Sequence, residues 1–146
     1  MLNTSTPSTT PMATDELPRP GRVALLALSD LVILLAFAFI GLSNHKEAVT
    51  PGSIARTAAP FVLAWFIVAP WLGAFGRSAS AASTRTLPFV RRSAAAWLVA
   101  WALALLVRAL VFRDGIAPPF AIIALVFNAV LLLSWRAALS ALAWRH

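Results

Sequence analysis

Four long apolar runs, separated by short polar segments, organise the 146-residue chain. Each run is as long as a helix that crosses the roughly 30 Å hydrocarbon core of a bilayer at about 1.5 Å per residue. The pattern predicts four membrane-spanning helices, at about 23–42, 57–75, 94–112 and 117–135. The expected fold class is therefore all-α, an integral membrane four-helix bundle.

The segments outside these runs divide the chain into three parts. Residues 1–20 are rich in Ser, Thr and Pro and lack apolar periodicity, which is typical of a disordered tail. Residues 21–137 form the predicted membrane domain, and residues 138–146 a short C-terminus. The linker 76–93 is small and polar, whereas the turn at 113–117 is so short that the third and fourth helices should be antiparallel neighbours.

Composition supports lipid as the solvent, since 60% of the residues are apolar and only 12% are charged. The net charge of +7 does not indicate a nucleic-acid partner, because the basic residues lie in the gaps between apolar runs and form no single patch. The chain has no cysteine, which excludes disulfides, thiolate metal sites and thiol nucleophiles. Abundant arginine and alanine indicate a GC-rich bacterial coding sequence, which bears on origin only. The expected location is the prokaryotic plasma membrane, as a multi-pass protein.

The distribution of Lys and Arg predicts the orientation of the bundle. Eight basic residues fall on the side that holds both termini and three on the other, which places both termini in the cytoplasm. The eight are Arg19, Arg22, Arg77, Arg85, Arg91, Arg92, Arg136 and Arg145, and the three are Lys46, Arg56 and Arg113.

Asp30 is an acid inside the first apolar run, and a carboxylate in a span is a functional-site candidate by default. Counting residues from the inner ends of their spans places Asp30 and Asn128 at nearly the same depth. An Asn amide can donate a hydrogen bond to a carboxylate, and such pairs hold membrane helices together. We therefore predict an Asp30–Asn128 contact.

Arg108 is the basic residue well inside the third run, where it continues a line of alanines at four-residue steps. Small residues in a stripe let a neighbouring helix approach, so Arg108 is expected to face a partner helix. Its guanidinium can reach inward to Asp30 or outward to the outer loops. The candidate partners there are His45, Glu47 and Asp114. The outward route is favoured, because Arg108 stands higher in the membrane than Asp30.

Less specific interpretations stay open for these residues. Asp30 either specifies helix pairing, binds a proton or ligand, or faces lipid under strain. His45 is either solvated at a helix end or an external pH sensor. With two histidines far apart, no metal site is expected. Ser29, beside Asp30, has no histidine or lysine nearby to act as a base. The sequence contains no Gly-rich phosphate loop, and no cofactor is expected.

Several short motifs lie along the four runs in a definite order and spacing. They are Asp30, Gly41 with Ser43-Asn44-His45, Ala59-Pro60-Phe61 with Trp65, Leu106-Val107-Arg108, Pro119-Phe120 and Ser134-Trp135-Arg136. Together they resemble a known family, domain of unknown function 3054, which consists of small four-span prokaryotic membrane proteins. The resemblance covers about residues 22–136, and it implies the fold and the membrane location and no catalytic role.

Two functions are compatible with these observations. The first is a non-enzymatic membrane protein that assembles with itself or with a larger membrane complex. The second is a proton- or cation-coupled small transporter or channel subunit that uses Asp30. A membrane enzyme is a third and weaker hypothesis, since no catalytic set is visible.

Overall fold

The computed structural model describes residues 20–45, 48–75, 86–113 and 115–142. Within these ranges the chain forms four α-helices, each long and apolar enough to cross a membrane. They are α1 (Pro20–Asn44), α2 (Pro51–Trp71), α3 (Thr86–Leu110) and α4 (Pro118–Leu142). The predicted all-α bundle is confirmed, and the protein is a multi-pass membrane protein.

The four helices pack in a closed ring. α1 lies between α2 and α4, and α3 lies opposite, again between α2 and α4. The predicted contact between α3 and α4 is thus present. We call the end at which α1 and α3 begin the tail face, and the opposite end the loop face.

α2 begins earlier than its apolar run predicts, and its local chemistry explains why. Thr50 caps the helix: its Oγ1 accepts from the Ser53 N–H at 3.1 Å, and the Ser53 Oγ accepts from the Thr50 N–H at 2.9 Å. This capping box, with Pro51 at the first helical position, starts the helix in a segment that hydropathy alone assigns to a loop. Pro60 consequently lies inside α2 instead of in its first turn.

α3 and α4 also extend beyond their apolar runs, each towards the tail face. α3 begins at Thr86, so the second half of the expected linker is helical. Arg91 and Arg92 are exposed there, whereas Phe89 and Ser93 are buried against the bundle. α4 continues to Leu142, well past the predicted end at residue 135. Of the expected tail at residues 1–20, Pro20 is the first residue of α1, and residues 1–19 lie outside the described residues.

An aromatic cluster fills the half of the bundle nearer the loop face. Phe37 of α1 contacts Phe61 of α2 edge-on, with ring centroids 5.8 Å apart. Phe120 and Phe127 of α4 lie 6.2 and 6.0 Å from the same Phe37 ring. This apolar packing leaves the tail-side half of the core for the polar residues described next.

Candidate functional site

A buried ion pair joins α1 to α4 in the tail-side half of the bundle. The Nη2 of Arg136 donates to Oδ2 of Asp30 at 2.5 Å, and its Nε donates to Oδ1 at 3.4 Å. Both side chains have 0% of their surface exposed. Two N–H groups of one guanidinium therefore face the two oxygens of one carboxylate, the arrangement that gives Arg–carboxylate pairs their geometric specificity.

The other two helices complete the hydrogen bonding of the pair. The indole Nε1 of Trp65 in α2 donates to Oδ2 of Asp30 at 3.0 Å. On the far side of the guanidinium, Nη1 donates to the Ala74 carbonyl at 2.7 Å and to Oγ of Ser93 in α3 at 3.1 Å. Ser93 in turn donates to the Phe89 carbonyl at 3.0 Å. The site is thus built from all four helices and from the segment that follows α2.

Three aromatic rings surround the guanidinium carbon of Arg136. The ring centroids of Trp65, Phe75 and Phe89 lie 5.2, 5.0 and 5.5 Å from it. All three distances are within the roughly 6 Å over which a ring attracts a cation, and desolvated pairs of this kind contribute about 2 kcal/mol. We call these three rings the aromatic cage. They replace water as the surroundings of the charge.

A helix-ending motif positions the Ala74 carbonyl. Gly73 adopts a left-handed φ of 71° immediately after the cap of α2. The Ala74 N–H bonds back to the Ala69 carbonyl at 2.8 Å and the Gly73 N–H to the Pro70 carbonyl at 3.1 Å, which is the bonding pattern of a Schellman motif. The chain is thereby folded back over the end of α2, with Ala74 fully buried and its carbonyl on Arg136.

The residues of the site share one depth in the membrane. Asp30 lies seven residues from the tail-side end of its span and Arg136 five residues from the end of its own, or about 10 and 8 Å of helix. Trp65 and Ser93 each lie six residues from theirs, about 9 Å. The site is therefore inside the hydrocarbon region but nearer the tail face.

Burial of both charges makes the pair energetically sensitive. A single charged side chain at the centre of a span costs about 2.5–3.5 kcal/mol on insertion scales. Pairing removes the net charge, whereas loss of one partner from a buried pair leaves the other uncompensated, at a cost of about 3–5 kcal/mol. The arrangement can thus fix the positions of the four helices relative to one another.

The structure does not bring Asn128 to Asp30, so the predicted pairing is corrected. Asn128 is fully buried, but its Nδ2 donates to the Ala124 carbonyl of its own helix at 2.9 Å. Its Oδ1 accepts no hydrogen bond from the described residues. The physical reason is that α4 continues about two turns past residue 135, so Arg136 is helical and its guanidinium donates to the Asp30 carboxylate instead.

Arg108 extends away from Asp30 and towards the loop face, which is the outward route that the sequence favours. Its guanidinium carbon lies 4.7 Å from the ring centroid of Phe120, in the first turn of α4 at the loop face. His45 is exposed at the same face, where its backbone N–H donates to the Gly41 carbonyl at 3.2 Å. Asp114 and Glu47 lie outside the described residues, so their roles as partners stay predictions.

Arg136 and Trp65, the two partners of Asp30, were not identified as site residues from the sequence. Arg136 follows Ser134 and Trp135, where the fourth apolar run breaks, and hydropathy alone therefore assigns it to a loop. Four-residue steps along α4 from Ala124 nevertheless reach Arg136. The positions Ala124, Asn128, Leu132 and Arg136 are all fully buried.

Comparison with known proteins identifies the family. The family described as protein of unknown function (DUF3054) matches residues 27–139, well over half of the chain. The chain belongs to the DUF3054 family. The match spans all four helices and includes Asp30, Trp65 and Arg136, which are also among the residues that carry the resemblance seen in the sequence. Neither the curated proteins nor the solved structures gave a match.

Proposed function

We propose that this DUF3054 protein is a non-enzymatic subunit of the prokaryotic plasma membrane that acts by assembling with itself or with a larger complex. This proposal rests on the pairing of the two buried charges in the core, Asp30 and Arg136, with each other. Both oxygens of Asp30 accept donors from the same chain, and the carboxylate has no exposed surface. In this arrangement the ion pair stabilises the bundle, which leaves its exterior for interactions.

The small residues of the spans are used inside the bundle. Ala96, Ala100 and Ala104 of α3 and Ala124 of α4 are at most 1% exposed, so they serve packing within one chain. The exterior instead presents large apolar side chains from every helix, including Leu28, Ile67, Val99 and Ile123. Assembly is therefore expected through this lipid-facing exterior.

Crosslinking in native membranes tests the assembly. The chain has no cysteine, so single cysteines at Leu28, Ile67, Val99 and Ile123 probe one face of each helix without background. We expect one face to give a covalent dimer or a larger adduct with a thiol-reactive crosslinker. A cysteine in place of the buried Leu34 is the matched control and should give none. Absence of any adduct at all four faces would contradict the proposal.

Transport coupled to a proton or cation is the second candidate, and the depth of the site favours it. The charged pair lies only about 8–10 Å of helix from the tail face, which is close enough for exchange with that side. The test compares wild type and Asp30→Asn for flux in liposomes and for bundle stability. Lost stability with no flux in the wild type contradicts transport. Lost flux with unchanged stability contradicts the packing role.

A further inference from the structure

The groups around the Arg136 guanidinium all belong to other parts of the fold. Its acceptors are the two oxygens of Asp30 on α1, the Ala74 carbonyl after α2, and the Ser93 hydroxyl on α3. The aromatic cage comes from α2, from Phe75 and from α3. α4 contributes only the guanidinium itself. The four acceptors and three rings therefore form a guanidinium-binding pocket, and the Arg136 head group occupies it.

We propose that this guanidinium-binding pocket also binds small guanidinium cations. Arg136 is its tethered occupant. A free guanidinium or alkylguanidinium ion takes the place of the Arg136 head group when that side chain withdraws. The inference goes beyond the assembly proposed above, since it concerns a ligand of the polar core and holds whichever partner the exterior binds.

The arrangement of acceptors selects this chemical class. The N–H groups of a guanidinium lie in one plane and point outward in a fixed fork, so acceptors that satisfy them surround the edge of that plane. The carboxylate oxygens meet one edge, and the Ala74 carbonyl and Ser93 hydroxyl meet another. A quaternary ammonium ion has no N–H and would leave these buried acceptors without donors. An ammonium ion has donors, but lacks the planar fork.

The position of Arg136 allows a second rotamer, in which its guanidinium lies at the tail-side interface. It lies five residues before the tail-side end of its span, so its backbone is about 8 Å from that end. Arginine side chains at this depth extend their charged head to the interface while the stem stays among apolar groups. In that rotamer Asp30 keeps the Trp65 hydrogen bond, and the aromatic cage is open to another cation.

Binding of guanidinium to purified, full-length Arg136→Ala tests the proposal. We expect this variant to bind guanidinium and methylguanidinium ions at least about tenfold more tightly than wild type, where the tethered occupant reduces the competent fraction. Both ions should also raise its unfolding midpoint at low millimolar concentration. Tetramethylammonium and ammonium at equal ionic strength should do neither.

Two further variants separate the site from general salt effects. Asp30→Asn combined with Arg136→Ala removes the carboxylate and should abolish binding. Arg91→Ala removes an exposed arginine of α3 and should behave as wild type. Equal responses to all cations, or equal responses of wild type and Arg136→Ala, would overturn the proposal.

Folding of the variant provides its own readout. If Arg136→Ala aggregates on extraction, guanidinium added during solubilisation is expected to restore a monodisperse protein, as a free ligand replaces the missing side chain. Failure to recover it with guanidinium would overturn the proposal. Recovery with tetramethylammonium to the same extent would overturn it as well.

Discussion

At the scale of single residues, Asp30 is the point on which the polar core converges. Arg136 supplies two donors to its carboxylate and Trp65 supplies a third. The two Arg136 donors come from α4 and the Trp65 donor from α2, so the acid links α1 to both neighbouring helices. The loss of a donor at Asp30 should therefore cost more than the loss of an ordinary interhelical hydrogen bond.

Replacing Trp65 by Phe tests that difference, since it keeps a ring in the aromatic cage and removes the indole N–H. Hydrogen bonds to charged groups contribute about 1.5–3 kcal/mol, and we expect a loss of stability in that range. Trp101→Phe is the matched control, because the Trp101 Nε1 donates to the neutral Ala121 carbonyl at 2.9 Å. Its loss should be close to the membrane average of about 0.6 kcal/mol. Equal losses in reversible unfolding would contradict a special role for Asp30.

Asn128 leads to the opposite expectation. Its Oδ1 is buried and accepts no hydrogen bond from the described part of the chain. A buried carbonyl left unpaired costs about 1–3 kcal/mol, so Asn128→Leu should leave stability unchanged or raise it. The same unfolding measurement checks this. A loss above about 1 kcal/mol would show that Asn128 supports the bundle through its amide, beyond what one bond within its own helix provides.

At the scale of elements, the end of α2 controls one wall of the site. The left-handed turn at Gly73 directs the Ala74 carbonyl to Arg136, which no straight continuation of the helix would do. An L-residue in this conformation is strained by about 1–2 kcal/mol. The precision of the site therefore depends on a turn outside the membrane-spanning helices.

Gly73→Ala is expected to destabilise the bundle by about 1–2 kcal/mol, or to shift the turn and weaken the Arg136 contact. Gly41→Ala is the matched control, because Gly41 is helical and a Cβ there would meet nothing within 4 Å. That change should be neutral or stabilising by up to about 1 kcal/mol. Thermal unfolding of the two variants compares them directly, and similar midpoints would contradict the turn's role.

The sequence predicted the elements well and the site only in part. Apolar length alone predicts four spans, because a bilayer fixes how long an uninterrupted helix must be. Their ends were less predictable. The Thr50 cap starts α2 early, and α3 and α4 continue through segments with polar and charged residues, which hydropathy alone assigns to loops. Asp30 was identified as a site residue, but its partner was not. Arg136 looks like a loop charge until the helix around it is known.

At the scale of the whole molecule, the buried ion pair changes the charge count that predicts orientation. Arg136 is inside the bundle, so it no longer belongs to a loop. The sequence then assigns seven basic residues to the predicted tail-side segments and three to the predicted loop-side segments, and the same orientation is favoured. The tail face is still predicted to be cytoplasmic.

Labelling of single cysteines in intact cells checks this orientation. A cysteine at the exposed His45 should react with a membrane-impermeant thiol reagent, because the loop face is predicted to lie outside. A cysteine at Arg91, near the tail-side start of α3, should react only after the cells are opened. The reverse pattern would show that both termini are outside.

We expect Asp30 and Arg136 to hold the four helices together as a pair, and a double-mutant cycle measures the coupling between them. Reversible unfolding in detergent micelles is compared for wild type, Asp30→Asn, Arg136→Met and the double variant. Each single change should cost about 3–5 kcal/mol, because it leaves a buried group without its partner. The double variant should lose less than the sum of the two, by a coupling energy of about 2–3 kcal/mol. If the double variant loses the sum of the two single losses to within about 0.5 kcal/mol, Asp30 and Arg136 do not act as a pair.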